Sequence, residues 1–150
     1  MNYLKLSKPL LSFFLIFFSG GTLLSQNWLT DLNEAKHIAE EENKLIVLVF
    51  QGSDWCAPCI RMDKEIWTSD AFKKYSNENL ILVKADFPRR KENKLSKEQE
   101  SMNEALAEKY NEEGAFPLVV VLDKNERILK KGGYEKNSPE EYIAKLKQLE

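Results

Sequence analysis

The sequence predicts an α/β three-layer sandwich, with a mixed central sheet of about four to five strands and helices on both of its faces. Three observations carry this. Leu45 to Phe50 is apolar without interruption, the mark of a central strand covered on both sides. Two further strand-like runs, Leu80–Val83 and Leu118–Leu122, alternate with amphipathic helical stretches, and strands joined through helices run parallel by right-handed crossovers. The last two strands are separated only by Asp123-Lys124-Asn125-Glu126 and should pair as a hairpin.

Trp28 to Glu42 reads as the first helix, since Leu32, Ala35, Ile38 and Ala39 recur at helical spacing. Thr30 or Asp31 supplies its cap and Glu34 suits its first turn. His37 lies beside the apolar stripe and reads as a surface side chain. Asn43 and Lys44 end the helix before the strand Leu45–Gln51. Past a short loop, Ile60 to Trp67 reads as a helix. Ser69-Asp70 caps a short helix through about Tyr75, with Phe72 and Tyr75 inward.

Leu80–Asp86 is the second strand, ended by Phe87-Pro88, and Arg89 to Leu95 is a polar loop. Ser96 and Gln99 have capping-box spacing for a helix to about Asn111, with Met102, Leu106 and Tyr110 inward. Gly114 turns the chain, Pro117 opens the strand Leu118–Leu122, and Arg127–Lys131 is its hairpin partner. Gly132-Gly133 then breaks the chain. Ser138-Pro139-Glu140-Glu141 opens a final helix with a capping serine, proline at the first helical position and acids at the positive end. Tyr142, Ile143, Leu146 and Leu149 form its apolar face.

With 150 residues, 43% of them hydrophobic, the chain can build one domain with a substantial core. Charges of both signs are interspersed and the net charge is −2, so no basic field exists to hold a nucleic-acid backbone. The basic stretch Arg89-Arg90-Lys91-Glu92-Asn93-Lys94 is interrupted by an acid and reads as a solvated loop. There is no internal repeat and no second domain.

The first residues are written differently. Lys5 and Lys8 precede an apolar stretch from Pro9 to Phe18, followed by Ser19, Gly20, Gly21 and Ser25. This is the pattern of a secretory signal peptide over 1–25, leaving a domain over 26–150. The apolar run falls short of the ~20 residues needed to span a bilayer, so no stable membrane insertion is expected after cleavage. No cysteine precedes Cys56, which excludes a lipid-modified N-terminal cysteine. Removal of Lys5 and Lys8 without any acid moves the net charge from −2 to −4.

Both cysteines, Cys56 and Cys59, lie three residues apart, a spacing expected by chance on the order of one time in a hundred. A disulfide across so small a loop constrains little of the unfolded chain, so a structural staple explains it poorly. A closed zinc site is equally poor, since two thiols and His37 fall short of four ligands; neither a metal nor a cofactor is expected. The pair follows a buried strand and opens a helix. Unpaired N–H groups and the macrodipole there favour a thiolate, by up to ~2 kcal/mol, enough to carry a thiol from ~8.5 to ~7. Cys56 is therefore expected to attack a substrate disulfide and Cys59, a turn further in, to resolve the mixed disulfide. Pro58 fits the first turn, where its missing N–H costs least. Trp55 reads as half-exposed, lining the approach of a partner thiol.

Trp55-Cys56-Ala57-Pro58-Cys59 after an apolar strand, Phe116-Pro117 before a later strand and Gly132-Gly133 before the last helix resemble the thioredoxin superfamily. The likeness covers nearly all of 28–150. More narrowly it is similar to exported bacterial thioredoxin-like proteins with Gly-Ser-Asp-Trp-Cys-x-x-Cys and an extended segment before the cis-proline, which Val83 to Arg90 also fits. The resemblance implies a thioredoxin-like sandwich and a thiol–disulfide oxidoreductase acting on protein disulfides. It further implies a periplasmic or otherwise exported location and re-reduction by a membrane-bound electron donor. Pro117 is then cis and faces the cysteines, with Trp55, Ala57, Pro58 and Phe116 lining the substrate site.

Phe50 departs from the pattern, standing where the family's buried aspartate would assist Cys59. Asp54, Glu65 or water is left as the proton acceptor, and Lys84 matches a family lysine whose aspartate partner is missing. No histidine lies between the cysteines, which favours a reductase or isomerase over an oxidase that donates its disulfide. A non-catalytic binding or chaperone-like module is the reading from another class, and binding alone would need neither cysteine.

Overall fold

In the computed structural model, which describes residues 25–149, Leu45–Gln51 forms β2, the middle strand of five. The other elements are the strand β1, Trp28–Leu29, the helix α1, Leu32–Glu42, and the helix α2, Ala57–Met62. α2 continues as a single π turn, Asp63–Trp67. Then come α3, Asp70–Asn79, β3, Leu80–Asp86, α4, Lys97–Tyr110, β4, Leu118–Leu122, β5, Ile128–Gly132, and α5, Pro139–Lys147. The sheet order is β1-β3-β2-β4-β5, with β2 parallel to β3 and antiparallel to β4. β4 and β5 form the expected hairpin.

Alternation along β2 explains its continuous apolarity. Ile46, Leu48 and Phe50 enter one core beneath α1 and α4, while Val47 and Val49 enter a second beneath α2, α3 and α5. Each such side chain, fully withdrawn from water, contributes about 1.5–3 kcal/mol. Two one-sided cores sharing one sheet make the three layers.

Several expected boundaries move. Trp28–Leu29 is not helical but an edge strand, parallel to β3 through Trp28 opposite Leu82 and Leu29 opposite Val83. The free edge of β3 offers unpaired backbone groups that a helix there would leave unsatisfied. α1 starts only after Asp31, whose carboxylate accepts from the Asn33 amide at 2.8 Å. The helix expected from Ile60 begins earlier, at Ala57, with Cys56 as its cap. Its end widens into the π turn, and Met62, Ile66 and Trp67 are all buried there in the second core. α3 runs on past Tyr75 to Asn79 before the chain extends directly into β3.

α4 buries a polar stripe that its apolar residues concealed. Asn103 is 1% exposed, donates to the Asp86 carbonyl at 2.8 Å and accepts from Gln99 at 2.9 Å. Met102, expected inward, is only half-buried. The signal was the phase set by Leu106 and Tyr110, which passes back through Asn103 and Gln99. The Ser96–Gln99 box is half made: Ser96 accepts from the Gln99 amide, but the Gln99 side chain reaches Thr30 and Asn103 instead.

Candidate active site

β2 ends at Gln51, and its backbone carbonyl accepts from Phe87 at 2.9 Å, continuing the parallel ladder one residue past β3. The chain then turns at Gly52, whose carbonyl accepts from the Cys56 amide at 2.9 Å. Only glycine fits here: a Cβ on Gly52 would lie 2.2 Å from Cε2 of Trp55, so the indole packs directly over the backbone.

Three successive side chains of this turn fasten it to the segment after β3. Ser53 donates through its amide and hydroxyl to the Asp86 carboxylate, at 2.9 and 2.6 Å. Asp54 accepts from the Arg89 and Arg90 amides, at 2.9 and 3.0 Å, and from the Asn93 side chain at 3.0 Å. These donors, the Arg89 amide foremost and then Asn93, hold the Asp54 carboxyl below the usual carboxylate range. The Trp55 indole N–H donates to the Phe87 carbonyl at 2.7 Å. The stretch from Arg89 is thus exposed, as expected, but tied down rather than loose, with a 3-10 turn at Lys91–Asn93.

Cys56 and Cys59 are joined in a disulfide. Cys56 caps α2, and its Sγ accepts from the Cys59 amide at 3.3 Å. The two are 4% and 3% exposed, so accessibility does not separate them. Their surroundings do. Ala57 and Pro58, beside Cys56, are exposed, and Ile60 is 49% exposed. Cys59 instead lines an open cleft of about 220 Å³ with Gln51, Ser53, Ile60, Asp63 and Lys84.

Two of the acids named for Cys59 have other partners. Asp54 is occupied by the neighbouring loop, and Glu65 accepts a hydrogen bond from the Tyr134 hydroxyl. The bond to Glu65 raises the Tyr134 phenol above its usual range. The acid that shares a space with Cys59 is Asp63, four residues on and therefore on the same helical face. Lys84 does not lack a partner: its Nζ is 3.3 Å from Asp63 Oδ1 and 4.3 Å from the Trp28 ring centroid. The i, i+4 spacing from Cys59 was the sequence signal for Asp63.

On the far side, the Phe116–Pro117 peptide bond is cis. Leu118 pairs with Phe50, so Pro117 falls level with Gln51, at the mouth of the Gly52 turn. Pro117 is buried, while Phe116 is half-buried and meets both Trp55 and Phe87 edge-on, each with ring centroids 5.4 Å apart. Asn111, 4% exposed, sets this approach by donating to the Ala115 carbonyl and accepting from its amide, both at 2.9 Å. The Arg89 guanidinium lies over the Trp55 ring, 3.7 Å from its centroid. Of the expected site residues, the structure brings together Cys56 with Cys59 and Trp55 with Phe116.

A cysteine pair that closes on itself at a helix start, on a loop leaving the central strand, can take up and release two electrons without moving the fold. The site, more than the fold, marks the chain as a thiol–disulfide oxidoreductase. It belongs to the thioredoxin-like family, whose profile matches residues 27–124. It is similar to the disulfide bond reductase DsbH of Chlamydia pneumoniae, with 35% identity over 114 residues, 76% of this chain and 67% of that one. It also resembles the thioredoxin-related protein DsbJ of the same organism, at 26% identity over 100 residues, spanning 28% of that longer chain. Among solved structures, one titled DsbH oxidoreductase superposes with a TM-score of 0.76 at 28% identity. That match covers 99% of this chain and 93% of the other.

Proposed function

We propose that this protein is an exported protein-disulfide reductase in which Cys56 attacks and Cys59 resolves. The observation that carries the reading is the Cys59 amide aimed at Cys56 Sγ, 3.3 Å away at the start of α2. An N–H donor and the helix terminus both stabilise negative charge on that sulfur once the disulfide opens. The similarity to a disulfide bond reductase supports the reducing direction.

The reaction balances with the residues of the loop. The Cys56 thiolate attacks one sulfur of a substrate disulfide, forming a mixed disulfide and expelling the other substrate sulfur as a thiolate that takes up a proton. Cys59 gives up its proton, with Asp63 across the shared cleft as acceptor, and its thiolate attacks Cys56 Sγ. The second substrate thiol leaves, and two electrons have passed from protein to substrate. Trp55, Ala57, Pro58, Phe116 and Pro117 form the rim on which the substrate backbone lies. A dithiol partner then restores the Cys56 and Cys59 thiols. Outside the cytoplasm, electrons for that partner must cross a membrane, which makes a membrane-bound donor the fitting source.

The reading of 1–25 as a secretory signal supports export; all but Ser25 of that stretch lies outside the described residues. Among the described residues, no helix is long and apolar enough to cross a membrane.

Reduction of insulin by the wild type, Cys56→Ser and Cys59→Ser tests the mechanism. Activity is expected in the wild type alone, with Cys59→Ser trapping mixed disulfides; equal rates in all three would sink it. Equilibration with glutathione tests the direction. A potential at or below about −220 mV supports a reductase, and one near about −120 mV identifies an oxidase.

A further inference from the structure

We infer that Arg89 is a receptor for a carboxylate on the substrate polypeptide, so that this protein prefers disulfides flanked by acidic residues. The inference rests on the reductase reading and narrows its substrate class. Arg89 is held at both ends. Its backbone amide donates to Asp54 at 2.9 Å, and its guanidinium carbon lies over the ring of Trp55, the residue before Cys56, 3.7 Å from the centroid. Stacking leaves the edge of the planar group, with its N–H fork, free for a bidentate acceptor. Yet among the described residues the exposed Arg89 side chain makes no ion pair and no hydrogen bond. An arginine that is positioned but unpaired, lying over the residue that precedes Cys56, is suited to hold an anion.

The surroundings carry the same sign. Arg90, Lys91 and Lys94 are exposed and, among the described residues, free of ion pairs, with Glu92 the acid within the segment. The two acids that face the segment are already engaged, Asp54 by its backbone and Asp86 by Ser53. At the Phe116 side, the exposed Glu112 and Glu113 have the opposite sign, so the cationic rim is the Trp55 rim. The field is local, because the chain as a whole carries −2. Three side-chain ties from Ser53, Asp54 and Trp55 keep it beside the disulfide, so whatever it attracts arrives at Cys56. A polypeptide fits this better than an anionic bilayer, which would cover the exposed Ala57 and Pro58 that a substrate disulfide must approach.

The test is single-turnover oxidation of the reduced full chain by three peptide disulfides whose cysteine is flanked by Asp, Asn or Lys. Each rate is divided by that peptide's rate with dithiothreitol, which removes the effect of flanking charge on the disulfide itself. At about 0.02 M salt the Asp peptide is expected to outpace the Asn peptide about fivefold, with the Lys peptide slowest. The preference should fade by about 0.5 M salt. Arg89→Gln should bring the Asp-to-Asn ratio close to one, and Arg89→Lys, which keeps charge but loses the stacked fork, should retain part of it. A wild-type ratio of one at low salt, or a ratio unchanged in Arg89→Gln, overturns the inference and leaves the reductase reading standing. No reaction with any peptide overturns both. A ratio of one together with Arg89-dependent sedimentation on phosphatidylglycerol vesicles assigns the patch to a lipid surface and also overturns it.

Discussion

Lys84 Nζ lies 3.3 Å from Asp63 Oδ1 across the cleft that Cys59 lines. The pair joins β3 to the π turn, and in the proposed mechanism it takes the place of the acid that Phe50 displaces from β2. Half-exposed as it is, it contributes at most about 1 kcal/mol to stability, so its removal should read out in chemistry. Asp63→Asn is expected to lengthen the lifetime of the mixed disulfide at Cys56 about tenfold. The first attack should be little affected. Alkylation quenching between about pH 6 and about pH 8 measures both steps, and an unchanged lifetime would assign the proton to solvent.

Gly52 and Trp55 make a second prediction. A Cβ at Gly52 meets the indole at 2.2 Å, so Gly52→Ala must displace Trp55 from the Phe87 carbonyl and from Phe116. Overpacking of this kind costs about 1–3 kcal/mol. A lower denaturation midpoint, altered near-ultraviolet dichroism and slower insulin reduction are expected together. Unaltered dichroism would show that the ring stays in place.

Asp54 is the clasp of the loop that carries Arg89. Asp54→Ala removes three acceptor contacts at once, freeing 89–93. Trypsin should then cut after Arg89 or Arg90 about tenfold faster, read by mass spectrometry of early fragments. Because the Asp54 carboxyl is lowered in the folded state, its stabilisation is present above the ordinary carboxylate value and is lost as pH falls through the lowered one. Wild-type cleavage should rise in acid, measured with a protease active there, while the variant stays flat.

Glu126 clamps α1 and α4 to the β4–β5 turn, receiving Lys36, Lys109 and the Tyr110 hydroxyl. Lys109 first, then Lys36 and Tyr110, lower its carboxyl from 4.5 to about 2. The folded state therefore binds this proton more weakly than the unfolded chain. Its stabilisation is complete above 4.5 and disappears as pH falls to about 2. Solvent screening holds it to about 1 kcal/mol, or about 4 °C in the melting midpoint. Glu126→Gln should melt lower than wild type at neutral pH, and the two curves should converge in acid. A gap independent of pH would mean that the carboxylate charge is not involved.

Much of the site could be read before any coordinates. The strand Leu45–Gln51, the cysteines at the start of a helix and the hairpin after Pro117 all follow from near-neighbour patterns: alternation, caps and turn residues. The polar contacts could not. Local sequence offers the i, i+4 spacing from Cys59 to Asp63, but nothing in it ties Asp63 to Lys84, Asp54 to the Arg89 segment or Asp86 to Ser53, because each partner lies more than twenty residues away and is brought in by the fold. β1 has no local signature for a similar reason, since two residues become a strand only when an edge is offered.

The sequence by itself determined the chemistry, because a cysteine pair, its spacing and the helix that it opens are properties of one continuous stretch. Only the tertiary structure decided the environment of that chemistry. It set Asp63 and Lys84 in one cleft with Cys59, fastened the Arg89 segment to Asp54 and laid Arg89 over Trp55. Side chains of a single charge type are interchangeable along a chain, and they acquire distinct roles when packing fixes which of them lose water and which find a partner.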